Sequence, residues 1–98
     1  MRFLFDGHVL DTERRELFRG DSQIALQPQV FDLLVHLVQN RDRVIPREEI
    51  LQKVWQYHGS VSSRTLDVHI AWLRQKLDNP HNPQHIQTIR GRGYRFKA

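Results

Sequence analysis

The chain contains no cysteine. That excludes a disulfide framework and any thiolate metal site, and it is compatible with a reducing cytoplasm. Long apolar runs are missing too: none approaches the roughly 18 residues that a membrane-spanning helix needs. No basic segment followed by an apolar one opens the chain, so no secretory signal is expected. From Ile86 onward there is no acidic residue. Also lacking are a phosphate-cradling glycine loop, paired carboxylates in a buried setting, and a Ser/His/Asp set with supporting context. These gaps argue against an enzyme, and no cofactor or small-molecule substrate is expected.

What is there is a 98-residue chain, 39% apolar and 27% charged, of a size for one domain with a modest core. The formal net charge is +4. Arg90, Arg92, Arg95 and Lys97 account for all of it, because the other eleven Lys and Arg balance eleven Asp and Glu. Positive charge gathered at one end suggests a polyanion partner, nucleic acid ahead of an anionic membrane. A solvated basic terminus is the plain alternative.

In residues 1–27, Phe3, Phe5, Val9, Leu17, Ile24 and Leu26 alternate with polar neighbours, which predicts short strands. Asp6-Gly7, Asp11-Thr12 and Gly20-Asp21 mark the turns of a small antiparallel sheet. Its expected job is structural, or to meet a neighbouring domain. Pro28 to Asn40 is the clearest helix: Pro suits a first turn, and Val30, Phe31, Leu34, Leu37 and Val38 make an apolar stripe. Gln27 is a poor cap, and His36 is expected in solvent. Arg41 to Ile45 is a link. Pro46 is expected to open a second helix running to about Trp55, with Glu48 and Glu49 at its start and Lys53 near its end, as the helix dipole favours. Gln56 to Val61, with Gly59, breaks it, and Ser62 or Ser63 can cap the next.

The segment Ser62 to Leu77 organises the rest of the chain. On a helix, Leu66, Ile70, Leu73 and Leu77 fall in one stripe. Arg64, Val68, Ala71, Trp72 and Gln75 lie opposite, with Thr65, His69 and Lys76 on one flank and Asp67 and Arg74 on the other. An ordinary amphipathic surface helix has this pattern as well. The C-terminal residues favour a groove-binding helix. After a polar loop with Pro80 and Pro83, Ile86 to Arg90 and Tyr94 to Phe96 read as two strands around a Gly91-Arg92-Gly93 turn. Two helices joined by a short break form a helix-turn-helix, and a basic hairpin behind it makes a wing. Such a helix has the width of the major groove, where base edges differ. An arginine at a thin tip suits a narrow minor groove.

The stretches RDRVIPREEILQKVW, SSRTLDVHIAWLRQKL and IQTIRGRGYRF, together with the Pro28–Leu34 helix start, carry a family resemblance. From Leu26 to Phe96 the chain resembles the winged-helix effector domain of bacterial transcription regulators of the OmpR/PhoB type. The first 27 residues resemble that family's leading sheet. The resemblance implies an α+β fold over 1–98: a sheet in 1–27, a three-helix core in 28–78 and a wing in 86–96. It implies sequence-specific binding to double-stranded DNA, tandem occupancy of direct-repeat half-sites, and RNA polymerase as a candidate partner.

Residue by residue, Arg64, Thr65, His69 and Arg74 match positions that touch phosphates or base edges, and Trp55 matches a backbone contact. Thr88, Arg90 and Tyr94 match wing contacts, with Arg90 the minor-groove candidate. Asp67 matches a position that orients arginines, and Gly91 and Gly93 permit the turn. Gln75 and Lys76 complete the candidate face, and Arg92 adds a charge at the tip. The main departure is Ala71-Trp72, where many members carry basic residues. With Val68 these make an apolar patch, expected to meet thymine methyls or sugar edges; packing on a partner domain or on neighbouring side chains is the alternative.

Relatives usually carry a receiver ahead of this module. One-component relatives instead place a sensor on its C-terminal side, at times beyond a membrane helix. A cytoplasmic location is expected, with membrane attachment only through such an anchor. A protein-interaction module on the same scaffold is the main rival. RGRGYRF partly resembles an RNA-binding strand, but Arg92 and Arg95 replace its aromatic and aliphatic residues. His81 and His85 lie in a Pro-rich loop and are not spaced as metal ligands.

Overall fold

The computed structural model describes residues 1–55, 63–79 and 81–97. Four short strands come first: β1 (Arg2–Phe5), β2 (His8–Asp11), β3 (Glu16–Arg19) and β4 (Ser22–Gln23). They form an antiparallel sheet in chain order. After the sheet come α1 (Pro28–Gln39), β5 (Ile45–Pro46), α2 (Arg47–Trp55), α3 (Ser63–Leu77), β6 (Ile86–Ile89) and β7 (Gly93–Phe96). The last three strands make a second sheet, ordered β5-β7-β6. This is an α+β winged helix-turn-helix.

The Asp6-Gly7 turn sets the register of the first sheet. Both residues have positive φ, 44° and 74°, and Phe5 pairs with His8 across them. Phe5 points inward, so His8 and Leu10 share its face and Val9 takes the other. Leu10 is therefore buried, while Val9 pairs with Leu4 and Phe18 on the outer face. Phe5 meets the Phe96 ring edge-on at 5.0 Å, which seats the first sheet on the base of the second.

In α1 the side chains of Val30, Phe31, Leu33, Leu34, Leu37 and Val38 are buried. Gln27 makes no capping hydrogen bond. His36 is not in solvent: its side chain is 16% exposed and Nε2 lies 3.3 Å from Glu49 Oε2 on α2. Glu49 also accepts from Arg43 at 2.6 and 3.1 Å, so α2 is tied to the link before it.

Pro46 does not open α2. Ile45 and Pro46 form β5, paired with Tyr94 and Gly93 of β7, and the helix begins at Arg47. A residue before proline is pushed toward extended backbone. Proline, lacking an N–H, is tolerated on an edge strand. Both rules suit β5, which lies at the edge of its sheet. The expected break at Gly59 and the serine caps at 62 and 63 lie outside the described residues or at their margin. Leu66, Ile70, Leu73 and Leu77 of α3 are buried, with α3 packed against α1 and α2 and with Ile50, Trp55, Ile86 and Phe96 in the same core. Among the described residues no helix is long and apolar enough to cross a membrane.

Candidate nucleic-acid interface

With its leucine stripe in the core, α3 turns Arg64, Asp67, Val68, Ala71, Trp72, Gln75 and Lys76 outward. Thr65 and Arg74 are half-buried at its flanks. Asp67 and Arg74, seven residues apart, lie on one flank. That flank is joined to the wing at both positions. The Tyr94 hydroxyl of β7 donates to Asp67 Oδ1. Arg47, the first residue of α2, donates to the same oxygen at 2.8 Å and approaches the Tyr94 oxygen at 3.4 Å. Two turns further along, Arg74 donates from Nε and Nη2 to the Ile86 carbonyl at 3.1 and 2.9 Å, and from Nη2 to Thr88 Oγ1 at 2.7 Å. Both guanidinium groups lie by the Tyr94 ring, at 5.8 and 5.9 Å. Three elements thus meet at one phenol.

The electrostatics suit this joint. The Arg47 guanidinium holds the Asp67 carboxyl below its ordinary 3.8, against partial burial. Asp67 in turn raises Arg47. Burial first, and the Asp67 carboxylate second, lift the Tyr94 phenol above its ordinary 10.0. At neutral pH the phenol is therefore a donor and the carboxylate an acceptor.

The wing tip is the turn Arg90-Gly91-Arg92, closed by the Arg92 N–H donating to the Ile89 carbonyl at 2.9 Å. Gly91 has φ 74°, as this turn requires. Gly93 has a different reason to be glycine. It is buried in β7 with φ 149°, and a Cβ there would lie 1.9 Å from the Ile45 carbonyl oxygen of β5. Arg90, Arg92 and Thr88 are exposed. Arg95 is not at the tip: its guanidinium donates to Gln87 Oε1 at 3.1 and 2.8 Å, across the hairpin.

Four residues expected as contacts are turned inward. Trp55 is 3% exposed and donates its indole N–H to Gln29 Oε1 at 2.9 Å. His69 is 8% exposed, with Nδ1 2.8 Å from the Thr65 carbonyl oxygen. Tyr94 is 4% exposed, with its hydroxyl on Asp67. Arg74 grips β6. Large rings gain by burial, and their polar tips then find partners within the protein. Arg64, Val68, Ala71, Trp72, Gln75, Lys76, Thr88, Arg90 and Arg92 stand on the surface.

Sequence reasoning missed Arg47 and Asp78. A cation in the first turn of a helix opposes the dipole, and that anomaly signals a special partner for Arg47. Asp78 comes directly after α3 and accepts four backbone N–H groups: from Asn79 and Gln84 at 2.8 and 2.9 Å, and from His85 and Ile86 at 3.0 and 2.9 Å. It folds the loop that starts the wing. His85 extends this anchor, with Nδ1 2.8 Å from the Lys97 carbonyl oxygen and Nε2 3.3 Å from Asp6 Oδ2. Among the described residues no cluster of His, Cys, Asp and Glu could hold a metal ion.

Known proteins share this architecture. Residues 21–96 match the family described as "Transcriptional regulatory protein, C terminal". The chain is 40% identical over 94 residues to the uncharacterized transcriptional regulatory protein YkoG of Bacillus subtilis, covering 96% of this chain and 41% of that protein. It spans about two fifths of the length of the curated relatives it matches. Among solved structures, the Klebsiella pneumoniae RstA DNA-binding domain in complex with the RstA box superposes with a TM-score of 0.84 and 32% identity, covering 97% of this chain and 95% of that one. DrrB of Thermotoga maritima, an OmpR/PhoB homologue, superposes with a TM-score of 0.90 and 31% identity, covering 99% of this chain and 44% of that one. The chain belongs to the family of C-terminal domains of transcriptional regulatory proteins, in its OmpR/PhoB winged-helix form.

Proposed function

We propose that this domain binds specific double-stranded DNA and regulates bacterial transcription, with α3 in the major groove and the 86–96 wing at the adjoining minor groove. The observation that carries it is the joint between α3 and the wing at Asp67–Tyr94 and Arg74–Ile86. It makes the outer face of the helix and the arginine tip parts of one rigid body. Arg64, Thr65 and Lys76 contact phosphates or base edges, Arg90 enters the minor groove, and Arg92 and Thr88 hold its phosphates. Trp55, His69, Arg74 and Tyr94 support that surface, and Asp67 orients it. The RstA complex with its DNA box supports the assignment.

The domain works as one unit over 1–98, binds in tandem to direct repeats, meets RNA polymerase and acts in the cytoplasm; these parts rest on family likeness. Titration of a selected duplex at several salt concentrations tests the proposal. The affinity of a domain that neutralises several phosphates falls steeply with salt. A flat dependence favours the protein-interaction module, for which the exposed Leu4 on the outer sheet face is the supporting observation.

A further inference from the structure

Val68 and Trp72 are each 41% exposed, and Ala71 is exposed between them. At spacings of three and four residues they form one patch at the middle of the outward face of α3. The indole of Trp72 does not hang free. The His69 ring meets it edge-on at 4.9 Å, and His69 is itself packed on the buried Trp55 at 5.3 Å. The Nδ1 contact of His69 to the Thr65 carbonyl oxygen fixes that middle ring. Trp72 also walls a cleft of about 270 Å³ with Leu26 and Val30. A braced ring loses little freedom on binding, which favours a defined contact.

Cations are displaced from this patch. Arg74 is drawn to β6 and Thr88, Arg64 lies one turn before Val68, and Lys76 lies one turn after Trp72. The centre of the face therefore offers no guanidinium or ammonium to guanine O6 and N7. It offers apolar surface, with Gln75 exposed one turn beyond Ala71. In the major groove, apolar side chains distinguish the thymine C5-methyl group, and glutamine pairs with adenine N6 and N7.

We propose that Trp72, flanked by Val68 and Ala71, is a specificity-determining residue that selects A·T base pairs by packing on a thymine methyl group. This rests on the DNA-binding reading above and deepens it. The test uses the chain itself. Bound sites are selected from a random duplex pool, and each thymine of the selected site is replaced in turn by deoxyuridine, which removes only the methyl group.

Burial of one such group corresponds to about fourfold in affinity. At one or more thymines the replacement weakens binding by about that factor. In Trp72→Ala the same replacement has almost no effect, whereas Trp72→Phe, which keeps a ring, retains much of it and separates a lost contact from a lost fold. If no replacement weakens binding, or if Trp72→Ala keeps the full penalty, the proposal is overturned while duplex binding stands. Weakening by Trp72→Ala that is independent of thymine methyls places the indole on sugar edges and overturns it too. Failure to select any duplex overturns the DNA-binding reading, and this inference with it.

Discussion

The phenolic hydroxyl of Tyr94, on the returning strand of the wing, donates to the carboxylate of Asp67, on the outward flank of α3. The same carboxylate oxygen receives Arg47 from α2. Removing the hydroxyl in Tyr94→Phe leaves Asp67 paired with Arg47 and leaves the ring in place. The expected cost is about 1 kcal/mol in urea unfolding, together with weaker duplex binding as the wing loosens from the helix. Asp67→Ala removes the acceptor of both hydrogen bonds and weakens binding further. Half of the Asp67 side chain is exposed, so its ion pair with Arg47 adds little to stability by itself.

Gly93 and Gly91 separate two reasons for glycine. Gly93→Ala drives a Cβ into the Ile45 carbonyl and forces β5 from β7. It is expected to cost about 2–3 kcal/mol. At Gly91 nothing lies within 4 Å of the added atom, so only the positive φ opposes alanine. There the expected cost is about 1 kcal/mol. Thermal unfolding of the two variants gives the order directly.

Much of this was legible in the sequence and some was not, for physical reasons. The leucine stripe of α3 and the glycine turns of both sheets arise from periodicity and backbone chemistry, which are local. The place of Val9 depended on the Asp6-Gly7 register, which a single residue inverts. β5 was hidden because two residues carry no period, and its partner Tyr94 lies far along the chain. The inward turn of Trp55, His69 and Arg74 was hidden for a similar reason. Their polar tips are answered by Gln29, the Thr65 carbonyl and the Ile86 carbonyl, and of these only Thr65 is within one turn.

Asp78 gives a pH signature. Burial pushes its carboxyl upward, but backbone N–H groups from Ile86, Gln84, His85 and Asn79 outweigh that and hold it below its ordinary 3.8. The folded form therefore binds this proton less readily than the unfolded chain. The resulting stability is fully present above about pH 4–5 and is lost as pH falls through the folded value. Asp78→Asn is expected to destabilise the domain at pH 7. The gap from the native chain should narrow steadily below about pH 4 in urea titrations. A gap that stays constant down to about pH 2 would remove the carboxylate from this role.

Leu73 of α3 is fully buried. Leu73→Ala is expected to cost about 2–5 kcal/mol by leaving a cavity under the helix. Gln75→Ala, on the opposite face, should leave stability within about 0.5 kcal/mol. Urea denaturation distinguishes the two faces.

The central claim is that α3 and the wing grip the same duplex together. Chemical interference on a selected site tests it most directly, because methyl groups on guanine N7 and loss of the thymine C5-methyl group probe the major groove, and methyl groups on adenine N3 probe the minor groove. The account predicts interference in the major groove and, about half a helical turn away, in the minor groove. Arg90→Ala should erase only the minor-groove signal. Interference confined to one groove, or a minor-groove signal that survives Arg90→Ala unchanged, would contradict it.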